Sequence, residues 1–166
     1  MQLREFFDYK NVLMRDILTN QNIISLLKDG ETLENASELA YTQVFPLEYV
    51  PKTVDSGLTY ICFDVDVKSV SNKTFLTPIL YVWIYAHRDN LILPNHRGIR
   101  PDELCFEVCN VINGSRYYGL GEFSLYGTSR YAPMTDYQGK MMTFYGKDFN
   151  RQHDGAKPVP SNRKII

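Results

Sequence analysis

Cysteine is scarce in this chain of 166 residues, with Cys62, Cys105 and Cys109 alone and in no spaced framework. An odd, unpatterned set excludes a small secreted scaffold held by disulfides and points to reduced thiols in a cytosolic setting. Charge of one sign is lacking too: 18 basic and 19 acidic residues leave a net charge of −1, so the chain has no basic field of the kind that coats nucleic acid. No apolar run approaches the roughly 18 residues needed to cross a bilayer. The amino terminus is charged within a few residues, which is not the pattern of a signal peptide, so the protein is expected to be soluble and to act where it is made. There is no GxSxG, no Walker loop, no HExxH and no repeat at solenoid spacing. Gly119-Leu120-Gly121 is a GxG without the third glycine and following helix of a dinucleotide loop. Neither a catalytic activity nor a cofactor is expected from these absences.

Aromatic residues, in contrast, are plentiful at 13%, with twelve tyrosines. Such rings favour contact surfaces, because they add apolar area at low entropy cost and their hydroxyls tolerate water. The length suits one domain with a sizeable core. Its centre is the stretch from Leu58 to His87, read as two long strands joined by a polar turn over Ser69 to Thr74. In the first strand Ile61, Phe63, Val65 and Val67 share one face, while Cys62, Asp64, Asp66 and Lys68 share the other. The second strand sets Leu76, Leu80, Val82, Ile84 and Ala86 against Phe75, Thr77, Ile79, Tyr81, Trp83, Tyr85 and His87. Both of its faces carry bulk, so both must be covered. The aliphatic set is expected to meet helices. The aromatic set is left as either a second layer of core or a surface for another subunit.

Before this hairpin, residues 2–18 place Leu3, Phe6, Phe7, Leu13, Met14, Ile17 and Leu18 at helical spacing. Thr19 or Asn20 can cap a second short helix carrying Ile23, Ile24, Leu26 and Leu27, which Gly30 ends. From Glu31 to Gly57 the periodicity is lost, and Pro46 and Pro51 break any continuous helix or central strand. Pro78 removes one ladder donor and is expected at a sheet edge or bulge. A third helix opens on Pro101, Asp102 and Glu103, carries Leu104, Cys105, Val108, Val111 and Ile112, and closes at Gly114. Phe123 to Tyr131 and Lys140 to Tyr145 read as a second hairpin about the turn Ala132 to Gly139. The expected fold is therefore α+β: an antiparallel four-stranded sheet of two hairpins, helices on one face, order α-(α)-β-β-α-β-β. One domain spans 1–146, with a long loop at about 31–57, and 147–166 reads as an extended or disordered basic arm.

His87, His96, Cys105 and Cys109 are metal-ligand types within a short span. Zinc cysteines, however, sit on a tight knuckle rather than along a helix, so these read as core or surface residues. Asp64 and Asp66 share a strand face and would need further converging carboxylates to hold a cation. The plainer reading is two exposed acids that discourage stray strand pairing.

The opening REFFDYKNVLMRDILTNQNIISLLKDG, the segment TYICFDVDVKSVSNKTFLTPILYVWIYAHRD and the pair INGSRYYGLGEFSL and RYAPMTDYQGKMMTFYGKDFN resemble the small tail-terminator or tail-completion proteins at the neck of tailed bacteriophages, especially of phages that infect Gram-positive hosts. The resemblance spans most of residues 1–150 and leaves the 31–57 excursion and the basic arm unfixed. It implies a virion structural protein that forms a ring, typically a hexamer, on the last ring of the tail tube, stops its growth and presents a surface to the head connector. The partners implied are further copies of the chain, the tail tube protein and a head-completion or connector protein, with DNA passing through unread and no membrane involved. On this reading the subunit-contact candidates are Phe45, Leu47, Tyr49, Tyr81, Trp83, Tyr85, Arg151 and Lys157, and the lumen-facing candidates are Asp64 and Asp66. The alternatives are a head-completion adaptor between portal and tail and, more remotely, a metal-dependent phage enzyme.

Overall fold

The fold is seen in a computed structural model, and the structure describes residues 3–29, 35–52, 57–69, 75–94, 97–117 and 122–149. Helices α1 (Leu3–Thr19) and α2 (Gln21–Leu27) lead into strand β1 (Val44–Phe45). The long hairpin is β2 (Thr59–Ser69) and β3 (Phe75–His87). Helix α3 (Arg100–Ile112) follows, then β4 (Ser124–Met134), β5 (Tyr137–Tyr145) and β6 (Asp148–Phe149). The class is α+β, with the helices packed over one face of a single sheet.

The expected four-stranded antiparallel sheet is corrected in three respects. Among the described residues six strands form it, in the order β1-β2-β3-β5-β4 with β6 also beside β3. It is mixed, because β1 pairs with β2 in parallel, Val44 opposite Ile61. This strand is too short to show a period, and it lies in the 31–57 stretch expected to be loop. The second hairpin has a two-residue connection, Thr135 and Asp136, instead of the eight-residue turn, because β4 runs on through Ala132 and Pro133 by means of a bulge between Tyr131 and Met134. Pro133 lies on an edge strand, where a missing N–H is tolerated.

Pro78 is the fourth residue of β3, an interior strand and not the expected sheet edge, and has a legible effect. Tyr145 is opposite Ile79 and Asp148 is opposite Leu76, so β5 and β6 share one pairing register on β3 and are a single lane interrupted beside the proline. Pro78 has no N–H to offer; its carbonyl accepts from Gly146 at 2.9 Å. A Cβ at position 146 would lie 3.1 Å from the Pro78 ring and 3.2 Å from Phe123, so glycine fits the crossing. The sheet thus reaches Phe149, beyond the expected domain limit at 146. The connection over 70–74, the expected helix stop at Gly30 and the Gly119–Gly121 turn lie outside the described residues, as do Arg151, Lys157 and the arm from 150 onward.

On the helical face, Leu13, Ile17, Ile23 and Leu27 from the first two helices and Leu104, Val108 and Ile112 from α3 meet Ile61, Phe63, Leu80, Val82, Ile84 and Phe144. This is the aliphatic side expected from the alternation. Asn20 is the cap of α2, its side-chain oxygen accepting from Asn22 N at 3.0 Å and Ile23 N at 3.3 Å. Pro101 sits at the start of α3 with Asp102 and Glu103 in its first turn, and Gly114 follows its end at φ +75°.

Candidate functional site

The opposite face of the sheet is closed by rings. Phe45, Tyr60, Cys62, Trp83, Tyr85 and Tyr137 form its buried centre, with Tyr49, Tyr81, Tyr131, Met134 and Met141 around them. The cross-strand pairs Tyr60 with Tyr85, Cys62 with Trp83 and Tyr85 with Gly139 set these residues side by side. Gly139 is required there: a Cβ on it would stand 2.5 Å from Tyr85 Cα and inside the Ile84 carbonyl. The rings pack at offset and edge-on angles, Phe45 on Tyr49 at 4.0 Å and Tyr85 edge-on to Tyr137 at 5.8 Å.

Over these rings runs a strap, Pro46 to Pro51, that leaves β1 at one edge of the sheet and is latched toward the other. The Tyr85 hydroxyl donates to the Tyr49 carbonyl from below, and the Tyr131 hydroxyl, on edge strand β4, donates to the Glu48 carboxylate at 2.7 Å. Burial pushes the Tyr85 phenol well above its ordinary value, with Cys62 adding to the rise. Tyr131 is raised as well, first by burial and then by Glu48, which favours the protonated donor. Lys10 of α1 ties the start of the strap down, donating to the Pro46 carbonyl at 3.1 Å.

The sequence-derived contact candidates divide accordingly. Tyr85 is fully buried, and Phe45 and Trp83 are 9% exposed. These three belong to the second core layer, one of the two readings left open for the aromatic face, and keep little surface of their own. The alternation showed that two faces needed cover, and the strap that covers the second belongs to the same chain. Tyr49 and Tyr81 are half-buried around that core, and Leu47, 46% exposed, is the candidate that points outward. Asp64 and Asp66 share a face as expected, but Asp64 is held by Lys10 at 2.5 Å and caps its own neighbour, accepting from Val65 N at 2.7 Å. Asp66 is exposed.

Among the described residues the metal-ligand types do not converge. His87 is buried edge-on against Tyr137 at 5.3 Å, its Nδ1 accepting from Asp89 N at 3.4 Å. Cys105 and Cys109 are half-buried on α3 and pack against the helical-face core. Burial, with Asp102 close by, pushes the Cys105 thiol up to about 12, and a thiol so placed stays protonated and unreactive. His96 lies outside the described residues. Among the described residues no three His, Cys, Asp or Glu side chains converge as a metal site, and no helix is long and apolar enough to cross a membrane.

Two features were not singled out in the sequence. Arg100, 3% exposed, joins three segments: it donates to the Leu26 carbonyl, to the Asp29 carboxylate and, through Nε, to the Asn90 carbonyl at 2.8 Å. Two of its three acceptors are main-chain oxygens, which no side-chain pattern reports. Beside it lies an open cavity of about 320 Å³ lined by Leu91, Ile92, Ile99, Pro101, Arg130 and Lys140, among others. Ile92 and Ile99 are 60% and 51% exposed. In the sequence the short apolar run Leu91 to Leu93 was the only trace of it.

An antiparallel-rich sheet with helices on one face and a strapped aromatic layer on the other defines an α+β protein whose uncovered features are apolar and charged surface patches. The chain belongs to the YomW family, whose model matches residues 20–145. No protein of curated function matches it.

Proposed function

We propose that this chain is a structural subunit of a tailed-phage virion: a tail terminator that assembles as a ring, typically of six copies, on the end of the tail tube, halts its growth and presents the other side of the ring to the head connector. The observation that carries the reading is the element order, two helices, a long hairpin, a helix and a second hairpin on one sheet with the helices on one face, together with the phrases that resemble tail terminators. The exposed apolar residues Leu47, Val50, Ile92 and Ile99 lie outside both core layers, and in a ring such residues find cover from a neighbour. One side of the ring matches the tube and the other lacks the tube's self-complementarity, so addition ends there. Cations steer DNA onto a surface, and Asp66, exposed on its strand, is the lumen candidate that remains open. Asp64 is tied to Lys10 and is the weaker one.

The test is localisation and mass. The purified protein is expected to form a ring whose mass is a small multiple of the 19.3 kDa chain, and labelled protein is expected at the head-proximal end of the tail tube. Phage lacking it should carry tubes of uneven, excessive length. Label between portal and connector, with tubes of normal length, supports instead the head-completion adaptor. A protein that is monomeric throughout and absent from particles overturns both. The enzyme alternative has its own test: metal bound by the wild type and lost in Asp64→Ala and Asp66→Ala, with an activity lost in parallel, would replace the structural reading.

A further inference from the structure

We propose that the Pro46–Pro51 strap of one copy seats in the Ile92/Ile99 cavity of the next, so that the ring is built by a head-to-tail knob and socket. The inference rests on the ring reading above and goes beyond it by naming the contact. The outer side of the strap presents Leu47, 46% exposed, and Val50, 40% exposed, with Glu48 between them. Its inner side is fixed by the Phe45–Tyr49 stack and by the hydrogen bonds from Tyr85 and Tyr131. Two flanking prolines and these latches hold it in place before any partner arrives, which lowers the entropy lost on docking. The knob is therefore apolar, acidic and pre-formed.

The socket has the opposite charge and the same apolar character. Ile92 pairs with Ile99 across a small ribbon, in which Leu93 N donates to Gly98 O at 3.0 Å and Arg100 N to Leu91 O at 2.8 Å. The buried Arg100 side chain bonds Asn90 at the base of the ribbon, so its two ends are tied together. At about 320 Å³ the cavity is at the small end of the usual range for pockets that take a ligand group, roughly 300–1,000 Å³. On its rim Arg130 stands directly opposite Lys140 in the β4–β5 pair. Like charges so placed repel. Asp102 answers Lys140 at 3.0 Å, and among the described residues no carboxylate answers Arg130. One unmatched cation beside exposed isoleucines calls for an acidic, aliphatic partner, and the outer strap of a second copy has that composition.

The two patches cannot satisfy each other within one chain. Arg130 and Tyr131 are neighbours on β4 and point to opposite faces: Tyr131 reaches the strap, whereas Arg130 lines the cavity. Knob and socket stand on opposite faces at one end of the sheet, the arrangement of a heterologous contact that closes by rotation.

The test uses the full chain and two exposed, fold-neutral changes, Leu47→Ser in the knob and Ile99→Ser in the socket, with unchanged thermal unfolding as the folding control. Wild-type protein is expected to assemble with rising concentration, and each variant alone to need at least about tenfold more protein for half-assembly, the effect of roughly 1.4 kcal/mol per contact. An equimolar mixture of the two should stop at a dimer, because one copy keeps only its socket and the other only its knob. As a second arm, Glu48→Lys and Arg130→Glu should each weaken assembly and together restore it, while Tyr131→Phe, which breaks the same latch to Glu48 and keeps the charge, should weaken it far less than Glu48→Lys. If the wild type forms rings but the variants form them equally well, or the mixture assembles fully, the knob and socket is overturned while the ring reading stands. If the wild type stays monomeric across the whole series, both fall.

Discussion

The helical face of the sheet is filled chiefly with leucine, isoleucine and valine around Phe63, Phe123 and Phe144 and is closed by three helices, whereas the opposite face is built chiefly on tyrosine, with Phe45 and the single tryptophan, and is closed over its centre by a six-residue strap. The difference follows from the side chains. Aliphatic groups are short, so a second layer of secondary structure must come down on them to exclude water. Rings reach farther from the sheet and cover one another, as Tyr60, Tyr85 and Tyr137 do at 5.4 to 5.9 Å. Their hydroxyls then need acceptors, and the strap's own backbone supplies one at Tyr49. A strap has two sides, and only the inner one is used up. The thin cover on the aromatic face therefore leaves Leu47 and Val50 facing out, while the helices on the other face leave chiefly polar residues.

This contrast breaks most severely at the shared centre of the helical core. Phe144 is fully buried there among residues of β3 and the helices, and Phe144→Ala is expected to cost about 3–5 kcal/mol. Far-UV circular dichroism and Trp83 fluorescence should be lost together, because the helical face supports both layers. Helices that melt while Trp83 keeps its folded signal would show the two layers to be independent. Next in size is Gly139→Ala, for which the added methyl meets the backbone of β3. Strand displacement of that kind costs about 1–3 kcal/mol. The near-UV aromatic signal is expected to fall more than the helical one; equal stability of the variant would mean that β5 shifts freely.

The same contrast explains what was legible in the sequence. Period-2 alternation in Ile61 to Val67 and Leu80 to Ala86 set the faces of the long hairpin, because sheet geometry forces side chains to alternate. The α3 boundaries were equally plain from Pro101, the early acids and Gly114. What alternation cannot report is which chain covers a face, so Tyr85, Trp83 and Phe45 were open to both readings until the strap was seen over them. Val44–Phe45 is two residues long and carries no period. The bulge at Tyr131 to Met134 shifts the register and disguises β4 as a turn around Pro133. Arg100 at a helix start looks like a solvated charge, and its partners Leu26 and Asn90 are distant main-chain oxygens. The cavity at Ile92 and Ile99 had no signal beyond a short apolar run, because it is made by a ribbon turning against β5.

A smaller test addresses the latch from below. Tyr85→Phe keeps the ring and removes the hydroxyl that the Tyr49 carbonyl accepts, so the expected loss is about 0.5–1.5 kcal/mol. Because the ring packing survives, the far-UV signal and global unfolding should change little, and hydrogen exchange at the amides of Tyr49 and Val50 should quicken. Uniform acceleration across α1 and α3 as well would show that the strap is part of the global core and not a separate, thinner cover.

The smallest effect is expected at the outer latch, and pH separates it from the rest. Tyr131 donates to Glu48 at 2.7 Å from a half-buried position, and both its burial and that carboxylate raise its pKa in the folded chain; Tyr85 moves in the same direction, chiefly through burial. A phenol whose folded pKa exceeds its unfolded value near 10 holds its proton more tightly when folded. Its contribution is complete below about pH 10 and is lost as the pH rises through the folded value. Alkali is therefore expected to lift the strap before the helices melt, read as a change in the fluorescence of Trp83, which packs against Tyr81 at 5.9 Å and Tyr131 at 6.4 Å, ahead of any far-UV change. Tyr131→Phe should cost less than about 1 kcal/mol at neutral pH, as an exposed hydrogen bond does, and should move the alkaline fluorescence change to higher pH by removing one of the two groups that titrate under the strap. If the change stays where it is in the wild type, Tyr85 alone governs the strap, and the hydroxyl of Tyr131 is an ornament of the edge strand with no part in holding the aromatic face closed.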